Sequence, residues 1–110
     1  MSGLERHPRQ EETRMPAYVI FFVDEINEPD GLNAYKKAAF PSLVAAGGKP
    51  VIAYGKQEVV EGAPMAGVVT LEFPTFETAS TWYHSPEYAE AKKLRENGVA
   101  VCRAVIVEGR

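Results

Sequence analysis

The run AYVIFFV at 17–23 is apolar at every position and rich in β-branched and aromatic residues, which predicts a strand. After the breaker NEPDG the hydrophobic period changes. Leu32, Tyr35, Ala39, Leu43 and Ala46 recur at spacings of three and four, so they share one face of a helix. Pro29, flanked by Glu28 and Asp30, suits the N-terminal end of that helix. Pro41 lacks the N–H that would bond the Lys37 carbonyl, so a kink or break is expected near residue 40. The glycines at 47 and 48 end the helix, one of them in the left-handed conformation.

KPVIAYG and GVVTLEF predict two further strands, at about 50–56 and 67–73. Their pairing is expected to extend through KQEVVEGAPMA into a hairpin that turns near Glu61 and Gly62. Thr75 is a suitable N-cap for a second helix, which is interrupted at Ser85 and Pro86, where Ser85 caps a new segment and Pro86 opens it. Lys92, Lys93 and Arg95 crowd its last turns and complement the helix dipole; Asn97 and Gly98 end it. VAVCRAVIV closes the chain as a fourth strand. The order β-α-β-β-α-β is the ferredoxin-like split βαβ arrangement, an α+β fold with two helices on one face of a four-stranded antiparallel sheet.

With helices on one face only, the other face should read polar at alternate positions. It does not. Ala17, Val19, Phe21 and Val23 fall on one side of the first strand, and Tyr18, Ile20 and Phe22 on the other. In the last strand Val99, Val101, Val105 and Val107 oppose Ala100, Cys102, Ala104 and Ile106, and only Arg103 breaks the pattern. The third strand sets Val69, Leu71 and Phe73 against a mixed Val68, Thr70 and Glu72. An apolar sheet face of several hundred Å² needs a cover. A second copy packing sheet to sheet supplies it, so a homodimer through the sheet face is expected.

Composition narrows the setting. The chain of 110 residues is one domain in size, and its net charge of −3 argues against a nucleic-acid partner. No apolar run reaches the length of a membrane span, and the N-terminus has no apolar signal region. A lone cysteine, Cys102, cannot form an internal disulfide, which favours a reducing cytoplasm. Residues 1–14 are almost wholly polar and are expected to be a disordered extension, with the domain at 15–110.

The segment WYHSPEY at 82–88 concentrates groups that could do chemistry. On a helical wheel Phe76, Ala79, Trp82 and Tyr83 cluster on one side, with Glu77, Thr81 and His84 on the other. His84 therefore reads as a surface residue and Trp82 as a core anchor whose indole N–H seeks one partner. Tyr88, Ala91 and Leu94 continue an apolar face beyond the joint, where Tyr88 is expected to approach Tyr83 or Trp82.

The block EFPTFETASTWYHSPEYAEAKKLR, followed by AVIVEG, resembles the DUF1330 family of small bacterial proteins. The resemblance begins at YVI, includes the paired glycines after the first helix, and covers nearly the whole chain after Met15. Its most specific part is Glu72-Phe73-Pro74, Ala79, Trp82-Tyr83 and Ser85-Pro86-Glu87-Tyr88. It implies a dimeric α+β barrel, in which two ferredoxin-like domains pack their sheets together, and no defined activity. Family members often carry an arginine just before the third strand, where this chain has Met65-Ala66-Gly67, so an anion-binding role for that arginine does not carry over. The family tends to begin near MPAY, which makes residues 1–14 an addition to it. Haem-degrading relatives of the barrel group use an asparagine, a tryptophan and a well-separated histidine; Trp82 and His84, two apart, do not match.

The chain lacks the glycine-rich, phosphate-loop, CxxC and HExxH signatures, and its two histidines, His7 and His84, are too few for a multi-histidine metal site. No cofactor and no metal are expected. The resemblance places pockets of the barrel group between sheet and helices, which makes Tyr35, Tyr54, Trp82 and Tyr88 the candidate ligand-binding residues. Glu61, Glu72, Tyr35 and Arg103 are the candidates for catalysis, a buried glutamate as base and a tyrosine as donor. Each has a plainer role: core packing for Tyr35, a turn for Glu61, cross-strand pairing with Arg103 for Glu72, and an interface ion pair for Arg103. The expected function is a homodimeric small-molecule-binding protein for an apolar or aromatic metabolite, with a cofactor-independent isomerase or monooxygenase as its enzymatic form. The alternative is a non-catalytic metabolite-binding or structural interaction dimer.

Overall fold

The computed structural model describes residues 15–110, so the expectation for residues 1–14 lies outside the described residues. Seven elements follow in order: β1 (Ala17–Ile26), α1 (Pro29–Ala45), β2 (Lys49–Ala53), β3 (Gly67–Phe73), α2 (Phe76–Tyr83), α3 (Pro86–Lys93) and β4 (Ala100–Glu108). The strands form one antiparallel sheet in the order β2-β3-β1-β4, the ferredoxin-like arrangement. The two central strands are β1 and β3, in register from Ala17 opposite Phe73 to Val23 opposite Gly67.

The caps act where the side chains allow. Thr75 Oγ1 accepts from the Thr78 amide at 3.1 Å, and Ser85 Oγ accepts from the Tyr88 amide at 3.1 Å with Pro86 next in line. Gly47, at φ 82°, turns the chain out of α1. At Gly48 a Cβ would collide with Leu43 and Phe73, so only glycine lets the chain pass this close to the core.

Two expectations are corrected. The helix α1 runs from Pro29 to Ala45 without a break at Pro41. Pro41 is exposed, and Ala39 and Leu43 on either side are buried, so packing of that face holds the helix through the missing bond. The hairpin between β2 and β3 does not extend: β2 stops at Ala53 because Tyr54 takes a left-handed φ of 59° and takes the chain off the ladder. Residues 55–64 then form an exposed, strandless excursion in which Gly62 sits at φ 100°.

Val19, Phe21 and Val23 of β1 join Leu71, Phe73, Ala79, Trp82 and Tyr88 in the main core beneath the helices. A smaller cluster of Leu32, Val99 and Ala100 closes one end. Val99 belongs here and not to the outer sheet face; its carbonyl instead accepts from the Asn27 and Glu28 amides. Phe76 is more exposed than its wheel position predicts, since α2 buries only Ala79 and Trp82.

The opposite face carries Ile20, Phe22, Val68, Val105 and Val107, aligned across the strands by the ladder. Val105 and Val107 are 45% and 43% exposed, so nothing in the described chain covers this apolar face. Arg103 on this face is matched locally: Nε and Nη2 donate to the Asp24 carboxylate at 2.9 and 3.1 Å. That pairing holds the Asp24 carboxyl below its ordinary range.

Candidate functional site

The helices are not equally close to the sheet. α2 lies directly on β1, β3 and β4, whereas α1 packs along α3. Under α1 a cavity of roughly 230 Å³ remains, floored by Phe21, Val23, Val69 and Leu71 and walled by Leu43 and Trp82. Lys36, Phe40 and Pro50, all exposed, mark its mouth. An engineered apolar cavity of about 150 Å³ takes benzene, so this space is of the size for a single substituted ring.

The cavity has one polar corner, and it was assembled by three elements. Tyr35 comes from the buried stripe of α1, Tyr88 from α3, and Arg95 from the turn after α3. The Tyr35 and Tyr88 hydroxyls are 2.7 Å apart, and Arg95 Nη2 donates to the Tyr88 hydroxyl at 3.2 Å. The Arg95 guanidinium also lies 5.2 Å from the Tyr35 ring centre and 5.6 Å from that of Phe21, within cation–π range. Arg95 is only 8% exposed, and its buried Nε–H has no acceptor. Among the described residues no carboxylate lines the cavity and none forms a salt bridge with Arg95.

Electrostatics fix the protonation of this corner. Desolvation pushes the Tyr35 phenol well above its ordinary range, and the Tyr88 phenol also moves up, with burial outweighing Arg95. Burial likewise raises the Cys102 thiol against the pull of Arg95. Arg95 itself stays charged: burial pulls its guanidinium down, but its hydrogen bond to the Tyr88 oxygen holds the proton on a group that is already charged at any ordinary pH. The corner is therefore a set of neutral hydroxyl and thiol groups around one fixed cation, able to donate to an oxygen anion but not equipped to take a proton.

Tyr54 approaches from the other side. Its left-handed backbone is costly for a bulky residue, by about 1–3 kcal/mol, and such strain collects at ligand sites. The ring lies over Gly67, where a Cβ would collide with it, and Lys36 Nζ stands 4.4 Å from its centre. Burial raises the Tyr54 phenol as well.

The expected ligand-binding residues thus meet in one place: Tyr35, Tyr54 and Trp82 line the cavity, and Tyr88 stands behind Tyr35. Trp82 is 4.3 Å from Tyr88, ring to ring, and its Nε1 donates to Ser42 Oγ at 3.0 Å, the partner its indole required. His84 is exposed, its Nδ1 2.9 Å from the Ser80 carbonyl. Of the four catalytic candidates only Tyr35 is at the cavity. Glu61 is on the exposed excursion, and Glu72 and Arg103 are on the outer sheet face. The expected Glu72–Arg103 pair does not form, because β1 lies between their strands. Glu72 instead accepts from the Tyr18 hydroxyl at 3.4 Å and lies 3.7 Å from Lys49.

Arg95 was expected with Lys92 and Lys93 at the helix end, complementing its dipole, and Leu94 on the buried face; instead Arg95 lies beyond α3 and is buried. Its amide bonds the Lys92 carbonyl in the turn that follows α3, and from there the side chain reaches the Tyr88 hydroxyl. Leu94 is 44% exposed.

The family described as "Domain of unknown function (DUF1330)" matches residues 16–110, and the chain belongs to it. The fold is shared by a protein of unknown function from Rhodopseudomonas palustris, with a TM-score of 0.66 at 20% identity over 96% of this chain and 92% of that one. A dimeric protein of unknown function and ferredoxin-like fold from Bacteroides fragilis superposes with a TM-score of 0.57 at 17% identity, over 86% of this chain and 96% of its own. A dimeric ferredoxin-like protein of unknown function from Thermobifida fusca does so with a TM-score of 0.53 at 14% identity, over 86% and 92%. No curated protein matches the chain. No helix among the described residues is long and apolar enough to cross a membrane.

Proposed function

We propose that this member of the DUF1330 family is a homodimeric small-molecule-binding protein that holds a small apolar or aromatic metabolite in the cavity under α1. The observation that carries the reading is the cavity itself, a space of roughly 230 Å³ with apolar walls and one converging polar corner at Tyr35, Tyr88 and Arg95. Binding sites of small molecules have that composition. The dimer forms through the outer sheet face, where Val105 and Val107 are otherwise open to water and Arg103 is already neutralised by Asp24. Two proteins of like fold are described as dimeric, which supports the same assembly. The unpaired thiol of Cys102 supports residence in the reducing cytoplasm.

A cofactor-independent enzyme of the isomerase or monooxygenase type is the second reading. The Tyr35–Tyr88–Arg95 chain favours it, because such donors stabilise an oxyanion as charge develops. Binding leads, since among the described residues the cavity lining holds no carboxylate or imidazole to accept a proton.

Trp82 is the single tryptophan and lies on the cavity wall, so its fluorescence reports occupancy. Titration with a panel of single-ring aromatic compounds should give saturable changes for some of them, and Ala39→Phe, which fills the cavity, should abolish these. A panel without any saturable change would remove the cavity from consideration as a ligand site.

A further inference from the structure

We infer that the ligand of this cavity carries a carboxylate, and that Arg95 is the residue that recognises it; the inference rests on the cavity being a ligand site. A guanidinium is rarely buried without an anionic partner, because desolvation of the charge is costly unless another charge repays it. Arg95 is 92% removed from water by its 8% exposure, lines the cavity, and keeps a buried Nε–H without an acceptor. Its hydrogen bond to the Tyr88 hydroxyl and its place against the Tyr35 and Phe21 rings fix its position but do not neutralise it.

Among the described residues Arg95 has no anionic partner, and the cavity is where one can stand. Lys36 at the mouth adds a second positive charge, and no acidic side chain in the lining opposes them. The planar fork of arginine matches the two oxygens of a carboxylate. The apolar wall of Leu43 and Trp82 would take the rest of the molecule. A small aromatic or branched carboxylic acid satisfies both ends, whereas a neutral hydrocarbon leaves the guanidinium without its partner.

Phenylacetate and phenylacetamide have nearly the same shape and differ in charge, so the pair isolates the carboxylate. Measured by Trp82 fluorescence or calorimetry on the wild-type protein at neutral pH, the acid should bind at least about tenfold more tightly than the amide, the usual gain of a charge-assisted hydrogen bond. In Arg95→Met, verified as folded by circular dichroism, the acid should fall to the affinity of the amide while the amide keeps its own. Arg95→Lys keeps the charge without the fork and should fall between. Equal binding of acid and amide by the wild type would overturn the carboxylate assignment and leave the cavity reading intact. A preference for the acid that persists in Arg95→Met would move recognition away from Arg95. Binding of neither compound while other members of the aromatic panel still bind would overturn the carboxylate assignment alone; binding of no member would overturn the cavity reading with it. The comparison on the wild type stands whether or not the variants fold.

Discussion

On β1, Val19, Phe21 and Val23 are all within 4% of complete burial, while Ile20 and Phe22, their immediate neighbours in sequence, remain partly open to water. Both sets are apolar, and pleating alone sends them to opposite faces. Under the helices the space is closed by side chains on every side except for a small, shaped cavity with an arginine at its corner. Across the sheet the face is apolar and its charges are paired within the chain, Arg103 with Asp24 and Glu72 with Lys49. The first kind of surface suits a small molecule and the second a large, flat partner. Hydrophobic patterning alone does not separate these; the way charge is placed on each face does. Arg95 is buried and unmatched, Arg103 is exposed and matched.

The largest effect should come from the inner face. Trp82→Ala removes a side chain that contacts Phe73, Tyr83 and Tyr88, and should cost about 3–5 kcal/mol in denaturant unfolding. A cost below about 1 kcal/mol would mean that Trp82 is not an anchor of the core. Next, Val105→Asp places a charge in the outer face, and sedimentation should show a folded monomer in place of the dimer. If the dimer survives at micromolar concentration, the interface lies elsewhere.

A third effect is set by pH. The Tyr35, Tyr54 and Tyr88 phenols and the Cys102 thiol all have raised folded-state values, from ordinary ones of 10.0 and 9.0. The folded state thus keeps protons that the unfolded chain releases. Their contribution is fully present below about pH 9 and is lost as pH rises through 9 and 10 toward the folded-state values. The urea midpoint should fall across that window, and in Tyr35→Phe the fall should be smaller. An unchanged midpoint up to pH 11 would contradict the burial of these groups. The smallest effect belongs to His84→Ala, which should change stability by no more than about 0.5 kcal/mol, since the ring is exposed and bonds only locally.

Much of this comparison was legible in the sequence. Alternation along β1 and β4 marked both faces as apolar, and Thr75, Ser85 and Pro86 marked where α2 and α3 begin, because capping is a local matter of side chain and backbone. Pro41 misled for the opposite reason: whether a helix survives a proline depends on what its buried face packs against, which lies far away in sequence. The end of β2 depended on a left-handed tyrosine, a conformation that no residue type at 54 advertises. The candidate catalytic residues on the strands shared a different difficulty. Glu72 and Arg103 occupy strands whose order in the sheet is a tertiary fact, and the strand between them decides that they do not meet. Arg95 was read as a helix-end cation, and its inward turn depends on how the turn after α3 meets the cavity, which no local pattern shows.

Native mass spectrometry tests the two faces together. Sprayed from volatile buffer with and without added phenylacetate, the protein should appear at twice the mass of the 12.1 kDa chain and take up the acid at up to one molecule per chain, and Ala39→Phe should keep the dimer but lose the acid. A monomer would contradict the role of the outer face. A dimer that takes up no acid, or takes it up equally in Ala39→Phe, would contradict the role of the inner one.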